Sequence, residues 1–157
     1  LAIIRPFRQD EHVVINGLEG TVNAVGIMST ELLKPDNTFI TIPNGLVWDS
    51  PIINYSRMEN RRVDIQVGTS YNGDIDKAIE VALRIMNRND LILNDPAPAV
   101  TVNELGDSSV NLTLKAWTNT ENYWGLKNDL TKEIFKEYNR EGIEMPYPQM
   151  DVHLEKE

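Results

Sequence analysis

The fold of this chain is indicated most clearly by residues 61–86, RRVDIQVGTSYNGDIDKAIEVALRIM. In the first half, Val63, Ile65 and Val67 alternate with polar residues, which is the period-two pattern of a strand with one buried face. The second half begins at Asp74, a favourable helix N-cap, and then carries apolar residues at helical spacing. A strand followed by an amphipathic helix predicts the start of an α+β layer.

The rest of the chain extends this pattern to β-α-β-β-α-β. Two further strands are predicted near residues 100–102 and 112–116, and a second helix is predicted from about residue 120 to 141. Gly142 is a suitable C-terminal stop for that helix, and residues 150–154 are predicted to form one more strand. This order predicts a ferredoxin-like arrangement.

The first sixty residues predict β structure without a convincing helix. The predicted strands are residues 12–15, a long bent strand at 21–28, and residues 38–42 and 52–55. Asn16-Gly17 is a strong hairpin signal, because both residues tolerate a positive φ. Several short strands separated by turns predict a small barrel-like β domain.

The charge of the chain is acidic and unevenly distributed. The net charge is −9, of which residues 1–62 contribute −1 and residues 63–157 contribute −8. An acidic surface repels phosphate backbones, so nucleic-acid binding is disfavoured. No apolar run approaches the roughly 20 residues that cross a bilayer. Because the chain begins with Leu1 rather than Met, we expect a processed or truncated protein.

The residue inventory argues against an enzyme. The chain has no cysteine, which excludes disulfides, zinc-thiolate sites and thiol nucleophiles. Its two histidines, His12 and His153, lie near opposite ends, and Ser108-Ser109 has no histidine nearby in sequence. Asp74-Ile75-Asp76 lacks the remaining ligand spacing of a calcium loop. We therefore predict no catalytic, cofactor or metal site, with an unrecognised carboxylate enzyme as a remote alternative.

Eight segments occur in a characteristic order along nearly the whole chain. They are Arg5-Pro6-Phe7-Arg8, Gly17-Leu18-Glu19-Gly20-Thr21-Val22, Ile42-Pro43-Asn44-Gly45, Ile52-Ile53-Asn54-Tyr55-Ser56-Arg57, Arg61-Arg62, Asp74-Ile75-Asp76, Asn103-Glu104-Leu105-Gly106 with Ser108-Ser109, and Pro146-Tyr147-Pro148-Gln149-Met150-Asp151-Val152. Each is a weak motif alone, but their shared order and spacing resemble the bacterial small-conductance mechanosensitive channel (MscS) family.

The resemblance implies an α+β chain in three parts. It implies a small Sm-like β-barrel domain at residues 1–60, a ferredoxin-like α/β domain at 61–148, and a C-terminal strand at 149–157 for an intersubunit barrel. It further implies the cytoplasmic vestibule of a homoheptameric ion channel in the bacterial inner membrane, without its N-terminal transmembrane helices. Such a channel opens on membrane tension in hypoosmotic shock, and its vestibule acts as ion filter and oligomer scaffold.

The resemblance also implies roles for seven residues. They are Arg5 and Arg8 close under the membrane, Met28, Asn44 and Gly45 against the pore helix, and Asp64 and Glu104 near the side portals through which ions pass. For Gly45, the missing Cβ allows a close backbone approach.

This sequence departs from the family pattern at two positions, and one alternative function stays open. Asp10 and Asn37 stand where the family has glycine, and Asp10 lies in the loop that the resemblance places near the membrane. The alternative is a soluble oligomeric binding module such as an RNA-binding Sm-like ring, because small β barrels also occur there. The acidic charge argues against RNA.

Overall fold

The structure is a computed structural model that describes residues 5–156. Residues 1–4 and 157 of the predicted domains lie outside the described residues. The chain divides into two compact units, the first ending at Glu59 and the second beginning at Asn60. No helix among the described residues is both long and apolar enough to cross a membrane.

The first unit is a five-stranded antiparallel sheet with the strand order β4-β3-β2-β1-β5. Its elements are β1 (His12–Ile15), β2 (Leu18–Val25), β3 (Ser29–Leu33), β4 (Phe39–Pro43), a short helix α1 (Asn44–Asp49) and β5 (Ile52–Asn54). Its core comprises Phe7, Val13, Ile15, Val22, Leu32, Ile42 and Val47. Every neighbouring pair of strands is antiparallel, so short connections suffice throughout the sheet.

The predicted long strand at residues 21–28 is wrong. The chain leaves β2 at Val25, turns, and returns as β3 from Ser29, with the Gly26 N–H donating to the Ser29 carbonyl at 2.8 Å. The pattern was misleading because the turn itself carries Ile27 and Met28, which are apolar yet 96% and 81% exposed. Apolar character alone does not separate a strand from an exposed turn.

The absence of a helix from the first sixty residues is also contradicted, by α1. Six residues make fewer than two turns, so α1 is too short to show a helical period in the sequence. The Asn16-Gly17 hairpin is confirmed, since both residues adopt a positive φ between β1 and β2. Asp10 (φ 69°) and Asn37 (φ 65°) are positive as well. Both are therefore in the region that glycine adopts at the least steric cost.

The second unit is a three-stranded antiparallel sheet packed with two helices. Its elements are β6 (Asn60–Thr69), α2 (Ile75–Asn87), β7 (Ala99–Leu105), β8 (Val110–Asn119), a 3₁₀ turn (Thr120–Asn122) and α3 (Tyr123–Arg140), and the strand order is β6-β8-β7. The fully buried side chains of its core include Ile85, Met86, Leu112, Leu114, Leu126, Leu130 and Tyr138. The predicted α+β fold class is confirmed.

Helix α2 is held at its first turn by two side-chain hydrogen bonds. The Asp74 side chain accepts a hydrogen bond from the Lys77 backbone N–H at 3.1 Å, which is the predicted cap. The buried Tyr138 hydroxyl of α3 donates to the Ala78 carbonyl at 2.7 Å, and burial raises the pKa of Tyr138 to about 12. This hydroxyl is therefore a hydrogen-bond donor at all ordinary pH values.

The last predicted strand does not form in the single chain. Residues 146–156 have no regular secondary structure, so the observed order is β-α-β-β-α. A strand exists only when neighbouring backbone completes its hydrogen bonds, and no strand within residues 5–156 pairs with residues 150–154. The intersubunit barrel predicted for residues 149–157 stays a prediction.

Candidate functional site

Asn44 holds the turn at residues 26–28 against the start of α1. Its side-chain Nδ2 donates to the carbonyl oxygens of Gly26 at 2.9 Å and Ile27 at 3.0 Å, and its Oδ1 accepts from the Thr30 hydroxyl at 2.9 Å. Its backbone N–H donates to the Met28 carbonyl at 2.9 Å. One amide side chain thus makes three hydrogen bonds, two to the turn itself and one to Thr30 of β3, and these fix the turn against the start of α1.

The turn held by Asn44 presents apolar side chains to solvent. Ile27 and Met28 project from it, and Trp48 of α1, which is 74% exposed, lines the same cleft of about 640 Å³ as Asn44. We call Ile27, Met28, Asn44, Gly45 and Trp48 the Asn44 surface. Large apolar side chains that are held in place yet left exposed are typical of an interaction site.

Gly45, the second residue of α1, is not required by the packing of the chain itself. A Cβ at this position would have no atom within 4 Å among the residues around it. Glycine inside a helix is less favourable than alanine by about 0.5–1 kcal/mol. The close approach predicted for Gly45 therefore has no counterpart within the described part of this chain.

Arg5 and Arg8 share a small pocket with a third arginine. The pocket, of about 290 Å³, is lined by Arg5, Pro6, Arg8, Glu11, Asn54, Ser56 and Arg57. The Arg57 guanidinium donates to the Arg5 carbonyl at 3.3 Å, and Asn54 donates to the Pro6 carbonyl at 3.0 Å and to the Glu11 carboxylate. In the sequence Arg57 is close to Arg61 and Arg62. Only the tertiary structure shows that Arg57 lies beside Arg5 and Arg8.

Asp64 and Glu104 lie on one face of the second sheet but do not form one cluster. Asp64 is opposite Lys115 of β8 and Glu104 is opposite Asn111, so they are separated by β8 and by about 13 Å along it. Both lie on the face of the sheet that points away from the buried core, because their partners Lys115 and Asn111 alternate with the buried residues of β8.

Each of these carboxylates already has a partner. Asp64 accepts from the Arg62 guanidinium at 2.7 and 3.0 Å, a bidentate pair, and this hydrogen bond raises the pKa of Arg62. Glu104 accepts from the Asn111 side chain at 2.9 Å, a neutral donor. The negative charge of Asp64 is therefore partly neutralised, whereas that of Glu104 is not.

Among the other residues singled out from the sequence, His12 and Arg61 contact neighbouring side chains. His12 Nε2 lies 2.7 Å from the Glu19 carboxylate and its ring stacks on Tyr55, whereas His153 is exposed. The Arg61 guanidinium lies 3.5 Å from the centre of the Tyr123 ring, a cation–π contact. Within residues 5–156, no three His, Cys, Asp or Glu side chains are grouped so that they could hold a metal ion.

Two family models match this chain. One is described as "Mechanosensitive ion channel, beta-domain" and matches residues 1–57. The other is described as "Mechanosensitive ion channel MscS, C-terminal" and matches residues 63–145. The chain therefore belongs to the MscS family of mechanosensitive ion channels, as the order of its motifs predicts.

Individual relatives agree with this assignment. The chain is 40% identical over 154 residues to the small-conductance mechanosensitive channel of Edwardsiella ictaluri, covering 98% of this chain and 54% of that protein. It is 34% identical over 163 residues to the small-conductance mechanosensitive channel MscMJ of Methanocaldococcus jannaschii, covering 100% of this chain and 46% of that protein. The chain thus spans about half the length of the curated relatives it matches.

A solved structure is similar over almost the whole chain. The closed state of Helicobacter pylori MscS superposes with a TM-score of 0.90 at 26% identity, covering 99% of this chain and 62% of that one. Arabidopsis thaliana MSL1 superposes with a TM-score of 0.72 at 20% identity and covers 91% of this chain, a likeness in fold.

Proposed function

We propose that this chain is the cytoplasmic vestibule of a channel that membrane tension opens during hypoosmotic shock. In the whole protein, transmembrane helices precede the chain and lie in the bacterial inner membrane, and seven copies form the vestibule. The family membership supports the channel, and the similarity to Helicobacter pylori MscS supports the vestibule as the matching part.

The observation that carries the proposal is the Asn44 surface. Its turn is held by two hydrogen bonds from the Asn44 side chain, its apolar side chains are exposed, and Gly45 leaves open space above α1. These features fit a surface that receives an apolar helix from outside the described chain, because burying Met28 and Trp48 there is favourable by roughly 1.5–3 kcal/mol for each side chain. In the proposed channel that helix is the end of the pore helix.

Ion filtering is the proposed role of the second unit. Residues 63–157 carry a net charge of −8, and several copies in a ring would overlap their fields within a Debye length of about 8–10 Å. Glu104, whose donor is neutral, would act on ions more strongly than Asp64, which Arg62 pairs. Arg5, Arg8 and Arg57 would face the membrane side, where cations favour anionic groups.

The alternative functions have less support. The relatives and solved structures give no support to an RNA-binding ring, and the acidic charge opposes one. The family is an ion-channel family rather than an enzyme family. We therefore expect no catalytic activity from this chain.

The proposal is tested in the full-length protein, expressed with its upstream coding region in a bacterial strain that lacks mechanosensitive channels. We expect survival of hypoosmotic downshock and a tension-activated conductance in excised membrane patches. Asn44→Ala should change the tension of opening or the rate of inactivation, because it frees the turn at residues 26–28.

Asn23→Ala is the matched control. Within the described residues, the Asn23 side chain makes one hydrogen bond, to the exposed Glu31 carboxylate at 3.2 Å. Loss of conductance on deletion of the upstream helices is also expected. A full-length protein that gives neither downshock survival nor tension-activated current would sink the proposal.

A further inference from the structure

Two of the sequence motifs, far apart in the chain, meet in the second unit. The loop between β7 and β8, residues 106–109, belongs to the motif that begins at Asn103. The terminal segment, residues 146–156, begins with the motif Pro146–Val152. The backbone N–H of Gln149 donates to the Ser108 hydroxyl at 3.1 Å, across 41 residues of sequence. We call residues 106–109 the anchor loop.

The anchor loop is held rigidly from within the sheet. The Gly106 N–H donates to the Ser109 carbonyl at 2.8 Å, which closes the turn. The Ser109 hydroxyl donates to Asn111 Oδ1 at 2.8 Å, while Asn111 Nδ2 donates to Glu104 at 2.9 Å. This chain of hydrogen bonds uses both ends of the Asn111 amide, so the loop has few alternative arrangements.

The anchor loop is also supported by Gly68 of β6 and by Tyr71, which lies in the loop that follows β6. A Cβ at Gly68 would lie 2.9 Å from the Ser109 hydroxyl oxygen and 3.1 Å from its Cβ, so any other residue there would displace the Ser109 side chain. The Tyr71 hydroxyl donates to the Gly106 carbonyl. Ser108 therefore projects from a fixed platform rather than from a loose loop.

The terminal segment has few backbone donors of its own near this platform. Pro146 and Pro148 have no N–H group, so Gln149 supplies the first amide after the second proline. The Gln149 side chain donates to the Tyr147 carbonyl at 2.7 Å, which further fixes its position. Upstream, the Ser70 N–H donates to the Glu144 carbonyl at 3.1 Å and ties the segment's approach to the end of β6.

An exposed apolar row begins directly after this contact. Met150, Val152 and Leu154 occupy alternate positions and are 85%, 68% and 89% exposed. In an extended segment alternate residues share one face, so these three side chains form an apolar strip when the segment is a strand. The polar residues Asp151 and His153 then occupy the opposite face.

We propose that Ser108 is a positioning residue that sets where the terminal strand begins and which way its apolar strip faces. The partner of the strip is the same strip of other copies of this chain, an assignment that rests on the proposed vestibule. The hydrogen bond to Ser108 orders Gln149 before the copies assemble, so the strand of each copy begins with Met150. Each copy then loses less conformational entropy on pairing.

The test is amide-resolved hydrogen exchange of the 157-residue chain, measured by mass spectrometry with electron-transfer fragmentation. Ser108→Ala should speed exchange of the Gln149 amide about five-fold, the loss expected for one ordinary hydrogen bond. Ser108→Thr, which keeps the hydroxyl, should restore near-native exchange. Exchange in α2 and α3 should be unchanged in both variants, which excludes general unfolding as the cause.

Unchanged exchange of Gln149 in Ser108→Ala would overturn the proposal, as would an equal increase in Ser108→Thr. The oligomeric assignment has a separate readout, the mass of the assembly by light scattering. Val152→Asp should lower that mass while leaving Gln149 exchange native. If the Val152→Asp variant still forms a ring, the proposed terminal barrel is wrong, and so is the assignment of other copies as the partner of the apolar strip. The role of Ser108 is decided separately, by the exchange data.

Discussion

The two units of the chain differ in the size of their buried cores. The second unit places two amphipathic helices against one sheet, and Leu112, Leu114 and Leu130 lose all contact with solvent. The first unit has a smaller core and leaves Ile27 and Met28 almost fully exposed on a turn. The larger core stabilises the second unit, whereas the exposed turn of the first unit is the part for which we propose an interaction.

The two units also differ in charge and in how charges are used. The second unit joins α2 to α3 through Arg84 and Arg88, which pair with Glu133, Glu137 and Glu141 at distances from 2.6 to 3.8 Å. In the first unit, Arg5, Arg8 and Arg57 gather around one pocket. The charges of the second unit are paired between two helices, each pair contributing little on its own, whereas the arginine cluster of the first unit is the part for which we propose an anionic partner.

The largest effect is expected from a cavity in the second core. Leu114→Ala should lower the free energy of unfolding by about 2–5 kcal/mol, because it removes buried methyl groups and leaves a cavity. Met28→Ala, on the exposed turn, should change it by less than about 0.5 kcal/mol. Denaturant unfolding of the 157-residue chain measures both. Equal losses would contradict the contrast between the units.

A large effect on conduction is expected from reversing two acidic side chains of the second sheet. Asp64→Lys combined with Glu104→Lys in the full-length channel should shift selectivity toward anions, because each change replaces a negative charge with a positive one. The reversal potential under a salt gradient measures the shift. Glu80→Lys, the same change on the exposed side of α2, is the control. An unmoved reversal potential would count against the portal assignment.

An intermediate effect is expected from the ionic contacts between α2 and α3. Burial raises the pKa of Glu137, but hydrogen bonds and charges from Arg88 and Arg140 outweigh it, so the pKa is lowered. A lowered pKa in the folded state contributes stability above the unfolded value of 4.5, and that contribution is lost as the pH falls through the folded pKa.

Wild-type chain should therefore lose stability as the pH falls below 4.5, and Glu137→Gln should flatten this dependence. Thermal unfolding between pH 3 and pH 7 is the measurement. Lys132→Gln on α3 is a control for the loss of one exposed charge. The ion-pair account fails if Glu137→Gln keeps the wild-type pH dependence.

The smallest effect is expected at Asp10 in the first unit. Asp10→Gly should stabilise the chain by about 0.5 kcal/mol. Glycine removes the steric cost of the positive φ, but it also loses more conformational entropy on folding than aspartate, which offsets part of the gain. Asp36→Gly, in a turn where Asp36 accepts from the Thr38 N–H at 2.9 Å, should destabilise instead. Chemical unfolding compares the two, and stabilisation by both would contradict this reading of φ.

Long periodic segments could be predicted from the sequence, whereas short and turn-based features could not. The alternation of β6 and the helical spacing of α2 each bury one face, so the pattern directly reflects the packing. Helix α1 is too short for a period, and β3 was hidden because its preceding turn is apolar. The seven site residues came from the family resemblance, and their proposed roles await experiment.

The sequence by itself determined the α+β class, the hairpin at Asn16-Gly17, the Asp74 cap and the acidic second half, because these depend on composition or on neighbours within a few residues. It also determined the family, through motifs whose order is readable without a structure. Only the tertiary structure decided that Asn44 holds the turn at residues 26–28, that Arg57 joins Arg5 and Arg8, and that Ser108 contacts Gln149. Those contacts join residues from 16 to 52 positions apart, and local pattern carries no information on which distant groups the packing brings together.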